Sequence, residues 1–216
     1  SGLTTAWDRF EREGCEQDIA SPRGGDVPLD PRSLKFPFRN ESAKSWLNNP
    51  ERMALLKNTR PLRSIDPNTY DAICLAGGHG AMFDFTHNPE LHNLIASTYE
   101  RGAVVASVGH GYCGILNVRL SDGSYLVNGK ILTGPSWREE KLALVSQKVP
   151  FNAEELAKER GADYIRTKKP YGSTAAATNG LVTGHNNSSS GNLVASCVSD
   201  ELDRLYSLKA KGSEPL

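Results

Sequence analysis

Two short glycine-rich stretches carry residue types suited to chemistry: Gly77-Gly78-His79-Gly80 and Gly109-His110-Gly111. Each follows an apolar run and sets an imidazole in a turn, where it can donate, accept or move a proton near neutral pH. The second stretch joins a β-branched run (residues 103 to 108) to a helix-like pattern. Such a strand-turn-helix elbow presents a nucleophile in many α/β enzymes. Here the turn residue is Gly109, which has no side chain. Glycine adopts elbow angles that cost other residues ~1–3 kcal/mol, so the turn can persist without a reactive atom. Cys113 lies one turn further on, roughly 6 Å along a helix. That is too far to stand in for an elbow thiol, and Cys113 reads as buried core.

Other candidates are less sharply marked. His185, in Thr183-Gly184-His185-Asn186-Asn187, reads as a loop residue facing solvent or capping the last helix, with a pocket role as the alternative. Trp137 and Glu139 follow a Gly-Pro turn and are candidates for a pocket mouth, though a surface position is expected. Asp84 reads as a cap, and His87 and His92 as helix surface. No His/Cys/Asp/Glu set has metal-ligand spacing, so neither a metal nor another cofactor is expected.

The elements that must position these residues alternate between strand and helix. Helical periodicity covers residues 3 to 13, 41 to 57 and 89 to 101, the last with Asn88 as cap and Pro89 in its first turn. A helix is also expected from the elbow to about Asn117. Two more follow, separated at Pro150, and a final one runs from about Gly191 to Leu208. Strands are expected at residues 15 to 21, 70 to 76 and 103 to 108. Hairpins are expected at Asn128-Gly129 and Asn179-Gly180. Crossovers of this kind imply a mostly parallel sheet with helices on both faces, a flavodoxin-like three-layer sandwich in one domain spanning residues 1 to 216. Ligands of such sheets bind at the carboxyl ends of the strands, where both glycine stretches should border one crevice.

Lysine plus arginine and aspartate plus glutamate both number 25, which leaves no charge excess to favour nucleic acid or anionic lipid. No apolar run is long enough to cross a membrane. The four cysteines form no CxxC pair and suit a reducing, cytoplasmic setting. Sequons occur at Asn40, Asn186 and Asn187.

The stretches "DIASPRGGDVPLDPRS", "YDAICLAGGHGAMFDFTHNPELHNLI", "GAVVASVGHGYCGILNVRLSDGSYLVNGKILTG" and "VPFNAEELAKERGADY" resemble, in this order, the DJ-1/PfpI (ThiJ/PfpI) superfamily of the class I glutamine amidotransferase-like fold. The likeness is to its chaperone and glutathione-independent glyoxalase III branch and runs from about residue 3 to residue 200. The resemblance implies conversion of 2-oxoaldehydes to hydroxyacids, with protein deglycase activity claimed for some members. It places the family's elbow cysteine on Gly109 and its following histidine on His110. The oxyanion-holding backbone falls on Gly78 and Gly109-His110, and the acidic partner on Gly2. Both side chains of the reactive pair are thus absent. The resemblance also implies a first strand near the middle of the sheet. Here the first helix begins almost at once, so that strand is expected to be missing and a separate N-terminal segment to complete the sheet.

Three readings follow. The first is non-covalent acid/base chemistry on a small carbonyl compound, of lyase, hydratase or cyclase type, with His79 and His110 as the working groups. The second is a non-catalytic binding or chaperone-like protein, expected as a homodimer. The third is residual glyoxalase activity through an unusual group such as Cys113.

Overall fold

The computed structural model describes residues 2–35, 39–185 and 188–212; Ser1 and the sequons at Asn186 and Asn187 fall outside the described residues. Helix α1 (Gly2–Arg12) buries Thr4 to Trp7 and packs on the C-terminal helix. The helix expected over 41 to 57 is two, α2 (Glu41–Leu47) and α3 (Pro50–Lys57). Pro50 lacks the amide that a continuous helix needs, and Asn49 caps the new start. Trp46 packs edge-on against Trp7 at 5.7 Å and donates to Asp8 at 2.8 Å, which ties α2 to α1. The early strand is short: β1 (Ala20–Ser21) pairs in parallel with β2 (Arg60–Pro61), and Pro61 has no amide with which to extend the ladder.

The main sheet has the order β3-β4-β8-β7, from β3 (Ala72–Gly77), β4 (Val104–Gly109), β7 (Ala175–Thr178) and β8 (Leu181–Gly184). β3, β4 and β8 run parallel, while β7 turns back on β8 through Asn179 and Gly180, both at positive φ as the Asn-Gly dipeptide predicts. Every residue of β4 is buried, as expected for a central parallel strand written in valine and alanine. Helices α4 (Ala81–Asp84) and α5 (Pro89–Glu100) link β3 to β4. Helices α6 (Trp137–Leu142), α7 (Ala153–Glu159) and α8 (Ser188–Gly212) complete the layers, and β5 (Ile131–Leu132) pairs in parallel with β6 (Asp163–Tyr164). Among the described residues no helix is long and apolar enough to cross a membrane.

Two local expectations are corrected. The elbow is followed by a 3-10 turn over His110–Gly114, not by a helix to Asn117. Glycines at 111 and 114 favour the tight turn, and Gly111 lies against the backbone of Leu75. Asn128-Gly129 does form a turn, with Gly129 at φ 69, but it joins no hairpin. The residues before it, Leu126 and Val127, are fully buried in the main core, and Leu126 bonds back to Val118. β5 therefore takes its partner from β6.

Among the described strands β3 pairs only with β4. Its other edge lines a cavity of about 2710 Å³, walled by α1, β1 and α8. Strand register also decides where chemistry can gather. Gly77 pairs with Gly109, and Val108 with Gly184, so three parallel strands end level at one edge of the sheet.

Candidate active site

A histidine follows each of those three strand ends: His79 two residues after β3, His110 directly after β4 and His185 directly after β8. The sheet thus gathers three imidazoles that the sequence spaces over a hundred residues. Their partners are two consecutive glutamates at the start of α6. His110 Nε2 lies 2.7 Å from Glu140 Oε1, and His79 Nε2 lies 2.8 Å from Glu140 Oε2. His185 Nε2 lies 2.8 Å from Glu139 Oε2. The His79 and His110 rings stand 4.2 Å apart.

Local sequence explains why two carboxylates point inward. Ser136 caps α6 and Glu139 closes a capping box, accepting from the Ser136 amide at 2.8 Å and its hydroxyl at 2.7 Å. The loop before the cap is held from below. Tyr164 donates to the Gly134 carbonyl at 2.7 Å and Tyr112 to that of Pro135 at 3.2 Å, both hydroxyls being buried. The Tyr171 amide donates to the remaining oxygen of Glu139.

These contacts determine the protonation states. Burial alone would raise the Glu140 carboxyl, but hydrogen bonds from His110 and His79 outweigh it and hold the group at about 2. Glu139 is likewise held at about 2 against burial by His185, Ser136 and Tyr171. His110 is depressed below the ordinary imidazole value by burial, which exceeds the opposing pull of Glu140. His110 is therefore neutral at pH 7, with its proton on Nε2 facing the carboxylate and Nδ1 bare. Nδ1 of His110 and Nδ1 of His185 are buried and without hydrogen-bond partners among the described residues. His79 Nδ1, 3.3 Å from an Arg32 amino group, accepts, so its Nε2 also donates to Glu140.

Two imidazoles and a carboxylate lie within 4.8 Å of one another here, the donor set of an open metal site. A metal on both Nε2 atoms would move both protons to Nδ1. That would set an N–H of His79 against Arg32 and bury an unpaired N–H on His110. As folded, the hydrogen bonds favour a proton-transfer site.

Gly109 holds φ 63 and ψ −141, a region that only glycine enters freely. The elbow is therefore a true backbone feature with no side chain at its tip. Gly2, Gly78, His79, His110 and His185 line the cavity, as do Glu139 and Glu140. Three candidates are not among the cavity-lining residues: Gly109, Cys113 and Trp137. Cys113 is fully buried in the main core, where burial drives its thiol far above the ordinary range. Trp137 is half-buried with its amide held at 3.1 Å by Glu154 of α7, and it is not among the cavity-lining residues. Two surface assignments are overturned. Glu139 is 3% exposed and His185 is 1% exposed, because each is the other's buried partner. Asp84 is exposed at the end of α4, on the cavity wall. Glu140 escaped sequence reasoning altogether. Its only signal is the Ser136-Trp137-Arg138-Glu139 capping pattern, which marks a helix start at a strand-following loop.

The protonation states carry a prediction. A base whose pKa is depressed works until the pH falls through that lowered value, so the acid limb of turnover lies below pH 6.5. Depressed carboxylates stabilise the fold above about 4.5 and lose that contribution as the pH falls toward 2. Profiles of kcat/KM and of denaturant midpoint against pH check both statements; a limb at or above 6.5 would remove His110 as the base.

No family model matches the chain. It is 29% identical over 184 residues to glyoxalase 3 of Candida albicans, covering 82% of this chain and 78% of that protein. It is 32% identical over 159 residues to a probable glutathione-independent glyoxalase of Schizosaccharomyces pombe, covering 70% of this chain and 58% of the other. Among solved structures, the Rapid Encystment Protein of 24 kDa from Francisella tularensis superposes with a TM-score of 0.86 at 29% identity, over 93% of this chain and 88% of that one.

Proposed function

Because this chain belongs to the DJ-1/ThiJ/PfpI superfamily, alongside glutathione-independent glyoxalases, we propose that it converts a small 2-oxoaldehyde to the 2-hydroxyacid by acid/base chemistry, with no covalent intermediate. The observation that carries the reading is the Glu140–His110 pair, which leaves a bare, buried imidazole nitrogen on the residue that follows the side-chain-free elbow.

The chemistry does not require a thiol. In water a 2-oxoaldehyde is largely its aldehyde hydrate, R–CO–CH(OH)2. His110 Nδ1 removes the C1 proton, the electron pair moves into the C1–C2 bond, and negative charge develops on the C2 oxygen. Backbone amides at Gly78 and Gly109-His110 hold that oxygen. Protonation of C2 by the same imidazole, with one C1 hydroxyl giving its proton to the C2 oxygen as the C1 carbonyl forms, then yields R–CH(OH)–COOH, with atoms and electrons balanced. Glu140 stabilises the imidazolium that forms between the two transfers and keeps its tautomer. His79, sharing the carboxylate, orients Glu140 from the cavity side.

The test is lactate formation from methylglyoxal by the unmodified protein and by its Gly109→Cys variant. Turnover in the unmodified protein supports the reading. Turnover only in the variant would mean that the pocket needs a thiol after all. The alternative of a binding or chaperone-like role gains if neither is active.

A further inference from the structure

A second cleft, of about 430 Å³, lies elsewhere on the surface and shares no lining residue with the large cavity. It is bordered by His87 and His92, flanking the start of α5, and by Asn117, Arg119, Tyr125 and Arg160. The two arginines stack on one aromatic ring: the Arg119 guanidinium carbon lies 3.7 Å from the Tyr125 centroid and that of Arg160 lies 4.6 Å from it. Two cations are thus held by one side chain, and both border the cleft.

Their hydrogen bonds go to neutral acceptors. Arg119 Nη1 donates to the Gly123 carbonyl at 2.7 Å, and Arg160 Nε donates to Asn117 Oδ1 at 3.1 Å. Arg9, Arg52, Arg60, Arg166 and Arg204 each pair with a carboxylate; among the described residues these two do not. A guanidinium has five N–H donors, so each arginine keeps donors that these hydrogen bonds do not use. His92 Nε2 is spent on the Phe85 carbonyl at 3.0 Å, which anchors the ring at the cleft wall. The exposed His87 closes the same side.

We propose that this cleft binds a small phosphate dianion, free or as a phosphomonoester, through the unused donors of Arg119 and Arg160. Two planar forks suit the oxygens of a tetrahedral dianion better than they suit a single carboxylate. The volume is that of a small-molecule site. The cleft holds no reacting groups in common with His110 and Glu140, so the inference stands whether or not the protein turns over an oxoaldehyde.

The experiment is a titration with inorganic phosphate at constant ionic strength, followed by NMR of the five imidazoles. The expected result is saturable movement of the His87 and His92 resonances, with His79, His110 and His185 still. Arg119→Gln and Arg160→Gln should each weaken binding about tenfold or more, the effect of losing a charge-assisted pair. Arg63→Gln, an exposed arginine elsewhere, should leave it unchanged. Because Arg160 also packs on Tyr125, Arg119→Lys provides a second reading: it keeps the charge, loses the fork and should still weaken binding. A parallel titration with glycerol 3-phosphate separates the sources; tighter binding than phosphate identifies a phosphomonoester, weaker binding the free ion. Movement matched by chloride, movement centred on the other three histidines, or full binding by both glutamine variants would each overturn the proposal.

Discussion

Glu140→Gln should lower turnover of methylglyoxal about 10²–10⁴-fold while the protein stays folded. The carboxylate accepts two hydrogen bonds at once, from His110 at 2.7 Å and from His79 at 2.8 Å. A glutamine offers one oxygen and one amino group, so one imidazole must meet a donor and change tautomer. If His110 changes, Nδ1 carries the proton and no longer serves as the base. His110→Asn should cost a similar factor by removing the base outright. Glu139→Gln disturbs the His185 contact and the α6 cap, and should act mainly on stability. Steady-state kinetics check this. If Glu140→Gln and His110→Asn both stay within twofold of the unmodified protein, the assignment fails.

Gly111→Ala should be the most damaging single methyl group in the molecule. A Cβ at this position would sit 2.0 Å from the carbonyl oxygen of Leu75 and 2.7 Å from its carbon. Those are backbone atoms of β3, so no side chain can swing aside. Relief requires the elbow to lift off the strand, and a loss of about 3 kcal/mol or more is expected, beyond the usual cost of overpacking. The movement would also separate His110 from Glu140, because the 3-10 turn begins at His110. Gly78→Ala is the matched control. Its Cβ would meet nothing within 4 Å, so the midpoint of denaturant unfolding should hardly change. Equal midpoints for the two variants would show that the elbow does not press on β3.

Much of this architecture is legible along the chain. Asn88-Pro89 marks a helix start, Asn179-Gly180 marks a hairpin, and the valine-rich run before Gly109 reads as a buried parallel strand. These are signals of local backbone preference and burial, which act over a few residues. The same locality explains the errors. Asn128-Gly129 makes its turn wherever it stands, but whether a hairpin follows depends on what Leu126 and Val127 pack against. Periodicity predicts a helix after the elbow, but the close approach of Gly111 to Leu75 requires a tighter turn.

The site divides in the same way. The elbow, the glycine at its tip and the two histidines that follow β3 and β4 are legible along the chain, because strand ends and glycine turns are local features. The burial of His185, the inward turn of Glu139 and Glu140 and the sharing of one carboxylate by two imidazoles arise from packing between distant segments. Those contacts join residues 30 to 61 positions apart, through a register in which Gly77, Gly109 and Gly184 end level. Periodicity places polar glutamates outside by default, since burying a charge is costly. Here the cost is offset by partners from three separate strands, and no stretch of sequence contains more than one of them.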